Sequence, residues 1–257
     1  MFIVWGKKVV RRKLGHVADF CPICRTPQGF ALTRVGVANH VYYVTSGDGE
    51  LAGFERTCHE CGTSMQAEPT HYASIAKKPL PLAELRRETF PQLEAAWRDR
   101  LELEARVRAA PRSLSAEDRH ALIRSPFLLL SPKVEKRFNE NQIDKQTGLA
   151  MLGAILLIGF GPALVERVLP SVVDTAWLVF LAAGLGLIVW VGLGSGRRYM
   201  RREVIPQLAK ALRPLRPTAD EIKAVLAEMK QLRHKMGSKL KVDDLIAYAR
   251  AEAGSAK

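Results

Sequence analysis

The sequence predicts a multi-part membrane protein with a small β-rich module at its N-terminal end, α-helical arms and a two-helix transmembrane hairpin. Three observations lead there. Two C-x-x-C pairs, Cys21/Cys24 and Cys58/Cys61, are separated by 33 residues. Two long uncharged apolar runs occupy residues 148–196. The excess positive charge, +13 at pH 7, is unevenly placed, with +8 in residues 197–257 and −1 in residues 148–196.

Composition already excludes several classes. A chain of 257 residues accommodates one large or two ordinary globular domains. Its 25% charged and 47% hydrophobic residues are unlike a disordered segment. Four cysteines are too few to staple a secreted scaffold of this length. The charge of +13 raises nucleic acid as a partner, so where that charge sits matters.

Residues 1–72 carry the cysteines. Two residues between thiolates let one tight turn aim both sulfurs at one ion. Two such turns supply a tetrahedral all-sulfur site of the kind Zn²⁺ favours. The candidate metal ligands are therefore Cys21, Cys24, Cys58 and Cys61. Gly62, directly after the second pair, tolerates positive φ and eases its turn. Residues 2–10, 30–37, 39–45 and 51–57 read as strands, with Ser46-Gly47-Asp48-Gly49 as the turn between the last two.

This arrangement resembles the zinc-ribbon class, in which a small antiparallel sheet holds two knuckles together. The resemblance covers about residues 1–67. The opening, MFIVWGKKVVRRKLGHVADFCPIC, is also similar to the start of uncharacterised bacterial membrane proteins with an N-terminal zinc-ribbon (rubredoxin-like paired knuckle) domain. Many ribbons carry glycine where this chain has Arg25, so the first turn departs from the pattern. The resemblance implies a structural metal, because four thiolates leave no open coordination position and make a poor setting for activating water.

Zinc is the expected metal. Iron is the alternative, since a rubredoxin-like site uses similar knuckles. A dithiol redox pair would use one C-x-x-C beside a βαβ unit, whereas this neighbourhood reads as β only. His59 lies inside a knuckle whose ligands the cysteines complete, and His16 and His40 read as ordinary sheet or surface residues.

Residues 73–147 read as a cytoplasmic helical region. Leu93, Ala96, Trp97 and Leu101 form an approximate helical stripe, with Pro91 near the first turn of the main helix. Ser115-Ala-Glu-Asp118 resembles a cap before a short helix to about Arg124. The run SPFLLLSP (125–132) is expected as a compact apolar patch between prolines.

Residues 148–196 hold the hairpin. The runs 148–165 and 175–196 have 18 and 22 residues without charge. At about 1.5 Å per residue they span roughly 27 and 33 Å, near a hydrocarbon core of about 30 Å. Apolar residues cover every face, unlike the stripe of a soluble helix. Nine of the 19 glycines fall here, and Ala182/Gly186 or Gly192/Gly196 have the spacing that lets helix backbones touch. Pro162 is expected to kink or end the first helix. No ionisable residue lies inside either run, which disfavours transport chemistry.

Basic residues flank the outer ends: Lys133, Lys136, Arg137 and Lys145 before, Arg197, Arg198, Arg201 and Arg202 after, against Arg167 alone in the linker. The positive-inside rule then places both termini in the cytoplasm, with two spans in the inner membrane. Lys7 and Lys8 follow the short apolar start, the reverse of a signal peptide's charge order. In residues 197–257, Arg197, Arg198, Arg201 and Arg202 are the candidate anionic-lipid-facing group. Nucleic acid is the disfavoured rival, because stacking aromatics and a recognisable binding fold are missing. Thr218-Ala-Asp-Glu221 opens a capped helix to about Met236, and residues 242–252 make another after Gly237-Ser238.

No catalytic motif stands in a usable context. The expected function is a membrane-anchored zinc-ribbon protein, a non-enzymatic scaffold or regulatory module that binds a protein partner or a second copy of itself at the cytoplasmic face. The alternatives are a membrane-tethered nucleic-acid-binding regulator and a rubredoxin-like redox protein.

Overall fold

The structure is a computed structural model and describes residues 5–42, 44–45, 47–139, 145–168 and 173–255. The start of the strand expected at 2–10, Ser46 of the expected turn and Pro170 of the linker lie outside them. The chain forms two compact units, Met1–Leu130 with Gln207–Ile222, and Ser131–Pro206 with Lys223–Lys257.

The first unit is built on an antiparallel sheet. β1 (Trp5–Cys21) and β2 (Thr26–Val41) make one long hairpin, joined further on by β3 (Val44–Thr45), β4 (Glu50–Cys58) and β5 (Ser64–Gln66). The order is β1-β2-β4-β5, with β3 on β2. Strand formation runs further than the apolar pattern suggests. β1 continues through the basic stretch Arg11–Lys13 to Cys21, with a register shift between Lys13 and Gly15. Cross-strand pairing with β2 along its whole length supplies the hydrogen bonds that local propensity does not. From Gly15 to Cys21 every residue of β1 is buried. One covering layer is visible in the cluster Ala18, Ala76, Leu85 and Leu93, with Leu80, Phe90 and Trp97 packed on it.

That layer comes from α1 (Leu82–Thr89) and α2 (Leu93–Ala96), followed by α3 (Arg98–Ala109). Pro91 separates α1 from α2 instead of opening one long helix. Thr89 fastens α1 to the sheet: its hydroxyl donates to the Leu85 carbonyl at 2.8 Å and accepts from the Ala18 amide at 2.9 Å.

α4 (Ala116–Asn139) corrects the expectation of a short helix and a proline-bounded patch. The Ser115 cap forms, with its hydroxyl accepting from the Asp118 amide at 3.0 Å. The helix then runs through Pro126 and Pro132. Leu122, Ile123, Phe127, Leu130 and Val134 are all buried, so one apolar face continues across both prolines. Burial of that face outweighs the hydrogen bonds the prolines remove.

The second unit contains α5 (Lys145–Val168) and α6 (Val173–Tyr199), two helices long and apolar enough to cross a membrane. α5 continues through Pro162. Their seam uses glycines other than the expected pairs. A Cβ on Gly161 would lie 2.5 Å from the Phe180 ring, and one on Gly184 would lie 2.7 Å from Ile158. At Gly186 and Gly192 a Cβ would meet nothing within 4 Å. A π-helical stretch, Met200–Val204, leads into α7 (Ile205–Leu212).

α8 (Ala219–Gln231), α9 (Lys235–Lys239) and α10 (Val242–Ser255) complete the chain. The Thr218 cap is reciprocal: the Glu221 amide donates to Thr218 Oγ1 at 3.2 Å, and the Thr218 amide donates to Glu221 Oε2 at 2.7 Å. Helix α8 ends earlier than expected. Arg233 takes a φ of 60°, and Gly237-Ser238 falls inside α9.

Candidate metal centre

Each C-x-x-C is the turn of a β-hairpin. Cys21 closes β1 and pairs across to Thr26 of β2. Cys58 closes β4, and Thr57 pairs with Ser64 of β5 beyond the second turn. Phe30 of β2 pairs with Cys58, so both turns sit at the same end of the sheet. The two turns repeat one geometry. The amide of the residue after each pair donates to the carbonyl of its first cysteine, Arg25 to Cys21 at 2.6 Å and Gly62 to Cys58 at 2.9 Å. Both residues are left-handed, with φ of 58° and 67°. The departure from glycine at Arg25 therefore leaves the turn unchanged.

The four sulfurs converge, all within 4.8 Å of one another. Cys21 Sγ lies 3.6 Å from Cys61 Sγ, and Cys24 Sγ lies 3.9 Å from Cys58 Sγ. A tetrahedral ion with metal–sulfur bonds of about 2.3 Å sets neighbouring sulfurs about 3.8 Å apart. The donor set thus fits one metal ion. None of the four cysteines is in a disulfide. Their acidities diverge in the way a crowded set must. Hydrogen bonds from Cys21, Cys24 and Cys58 push Cys61 far down, whereas Cys21 is pushed far up by hydrogen bonding to Cys24, then Cys58 and Cys61, and by burial. Adjacent thiolates repel one another, so full ionisation needs a cation at the centre.

Each knuckle is held from outside by polar groups that sequence reasoning did not single out. The Arg25 guanidinium is buried. Its Nε donates to Glu104 Oε2 of α3 at 2.6 Å and its Nη1 donates to the Ala211 carbonyl of α7 at 3.2 Å. Arg108 Nη2 donates in turn to the Arg25 carbonyl at 2.9 Å. On the second knuckle, Gln207 Nε2 donates to the Cys61 carbonyl at 3.0 Å, and Lys210 Nζ bonds Glu60 Oε1 at 2.7 Å. Burial alone would lower Lys210. The Glu60 hydrogen bond and the negative charge of Cys24 and Cys61 outweigh it, and the ammonium is held above its ordinary range.

Beside the first cysteine, the buried Asp19 accepts from Trp97 Nε1 at 2.9 Å, from the Tyr72 hydroxyl at 2.7 Å and from the Phe20 amide at 2.7 Å, and pairs with Arg56. This fully bonded carboxylate fixes the end of β1 that aims Cys21. His16 is not an ordinary sheet residue. It is buried, and its Nδ1 lies 3.0 Å from His59 Nε2. Burial lowers both imidazoles, and the ring N–H of one donates a hydrogen bond to the bare nitrogen of the other.

No protein-family model, curated protein or solved structure matches the chain. Function is therefore read from the site itself.

Arg197, Arg198, Arg201 and Arg202 fall at and just beyond the end of α6. Arg197 and Arg201 reach Asp244 Oδ1 at 3.6 and 2.7 Å, Arg198 Nη2 donates to the Val191 carbonyl at 2.8 Å, and Arg202 is exposed. A sequence signal for the missed residues is faint. Arg25 in a glycine position is the one clue, and it points to a side chain with a partner.

Proposed function

We propose that this chain is an inner-membrane adaptor in which Cys21, Cys24, Cys58 and Cys61 hold a structural zinc ion in a ribbon-like module. The hairpin α5/α6 anchors it, both termini face the cytoplasm, and the sheet recruits a protein partner. One observation carries the recruiting role. Away from the knuckles, Trp5 pairs across to Val41 and Val41 to Val44, forming an apolar row over three strands. All three are exposed, Trp5 by 82%, and Val9 is exposed further along β1. An exposed apolar patch of this kind on a sheet marks a docking surface.

Supporting the anchor, Leu149, Ile155, Phe160, Trp190 and Leu193 of α5 and α6 are exposed. Water would penalise such helices, and lipid would not. Supporting zinc, the donor set is four cysteine sulfurs within 4.8 Å of one another, and a tetrahedral all-thiolate site leaves no coordination position open to substrate.

The test is photocrosslinking in intact membranes, with the photoreactive residue placed at Trp5 or Val44. A discrete adduct with one protein, absent when the residue is placed on exposed Arg202, supports the adaptor. Equal, diffuse labelling from all three positions overturns it. Nucleic acid bound with a steep salt dependence would establish the rival reading.

A further inference from the structure

The second unit contains an open cleft of about 600 Å³ where α5 begins and α6 ends, bordered by the turn between α9 and α10. The volume lies within the range of about 300–1,000 Å³ that accommodates small ligands. Leu193 and Leu240 give it apolar walls, and Arg137, Arg197, Lys239 and Lys241 bring four cations. Asp244 is the single acid in the lining. It is already engaged, because Arg197 and Arg201 both reach its Oδ1.

Two of the other three cations face neutral groups. Arg137 Nη2 donates to Ser195 Oγ at 2.9 Å, and its guanidinium stands 5.6 Å from the centre of the Tyr199 ring. Lys239 Nζ stands 5.6 Å from the centre of the Phe138 ring. Among the described residues, no ion pair involves Arg137, Lys239 or Lys241. Three such charges around one cavity favour an anion. The adjoining α6 surface favours an acyl chain, since Leu193 is 81% exposed.

We propose that this cleft binds the phosphodiester headgroup of a single anionic phospholipid, with Arg137, Lys239 and Lys241 as its ligands. The proposal rests on the reading of α5 and α6 as membrane-spanning. A basic pocket beside membrane helices recognises a headgroup through charge-assisted hydrogen bonds to phosphate oxygens. It differs from a basic surface in two ways: it takes one lipid, and it depends on lysines of the α9–α10 turn, not on the arginines just after α6.

The test uses the full-length chain in nanodiscs of phosphatidylcholine containing a minor fraction of phosphatidylglycerol, with retained lipids counted by native mass spectrometry. The wild type should keep one phosphatidylglycerol. Its enrichment over phosphatidylcholine should fall about tenfold or more in Lys239→Gln/Lys241→Gln and in Arg137→Gln. Lys230→Gln, exposed on α8 and outside the cleft, should leave it unchanged. Equal enrichment in all variants overturns the proposal, and so does displacement of the lipid by millimolar inorganic phosphate, which would make free phosphate the ligand. Alkaline carbonate extraction of native membranes separates the underlying reading: release of the chain overturns the membrane anchor and the cleft together. Retention in the pellet without headgroup enrichment overturns the cleft alone.

Discussion

Arg25→Gly sets two local effects against each other at the first knuckle. Arg25 holds a left-handed φ of 58°, where the second knuckle uses Gly62 at 67°. That conformation costs a non-glycine residue about 1–2 kcal/mol. Glycine loses part of this advantage, about 0.4–1 kcal/mol, through its greater freedom in the unfolded chain. On backbone grounds the substitution should therefore stabilise by somewhat under about 1 kcal/mol. The side chain argues the other way. It is 2% exposed and pairs with Glu104, itself 1% exposed. Removing one partner of a buried pair costs about 3–5 kcal/mol, mostly because the survivor stays charged and uncompensated. Arg100 Nη2, 2.9 Å from Glu104 Oε1, remains to offset part of that, which places the cost near the lower bound. The net effect should be a loss of about 2 kcal/mol, or about a thirtyfold shift in the opening equilibrium.

Amide exchange of peptides from β1 and β2, measured on the metal-loaded full-length protein, reads this directly. Arg25→Gly should exchange about thirtyfold faster, whereas Gly62→Ala, where a Cβ meets nothing within 4 Å, should lose only the strain of about 1 kcal/mol. Combining Arg25→Gly with Glu104→Gln should recover part of the loss, because no buried carboxylate is then stranded. If Arg25→Gly is as protected as wild type, or its effect simply adds to that of Glu104→Gln, the ion pair does not anchor the knuckle.

Other consequences follow from the same geometry. Cys58→Ser should abolish exchange protection throughout β1–β5 while the chain stays membrane-inserted, and retained protection in β2 and β4 would contradict a metal-dependent fold. Gly161→Leu must displace the Phe180 ring and should lower hairpin stability in detergent by about 1–3 kcal/mol, whereas Gly186→Leu should be nearly neutral; equal effects would refute the packing seam. The Arg119 guanidinium hydrogen-bonds Glu221 and lowers its carboxyl from 4.5 to about 2. The stability this pair adds is complete above about pH 4.5 and lost as pH falls towards 2. An NMR titration that places the Glu221 midpoint near 4.5 would remove the basis for that acid sensitivity.

Much of the metal site was legible because its chemistry is local. Spacing alone makes each C-x-x-C a turn, and the β pattern between the pairs brings the turns to one end of a sheet. The apolar runs were legible for the same reason, since length and composition suffice to recognise them. What could not be read depends on partners distant in sequence. Arg25 meets Glu104 and Ala211, Cys61 meets Gln207, and Asp19 meets Tyr72 and Trp97. No period or motif links such pairs. The prolines of α4 misled for a related reason: Pro126 and Pro132 read as boundaries, yet burial of Phe127, Leu130 and Val134 carries the helix through them. The hairpin glycines show the limit of spacing rules, because Gly161 and Gly184 touch neighbouring side chains whereas the better-spaced Gly186 faces open space.

Metal-edge X-ray absorption on protein purified from membranes tests the central claim, that Cys21, Cys24, Cys58 and Cys61 hold one structural ion. The expected result is one zinc per chain with four sulfur neighbours at about 2.3 Å and no lighter ligand. Substoichiometric metal, an oxygen or nitrogen in the shell, or an iron edge with visible absorption that bleaches on reduction would contradict it.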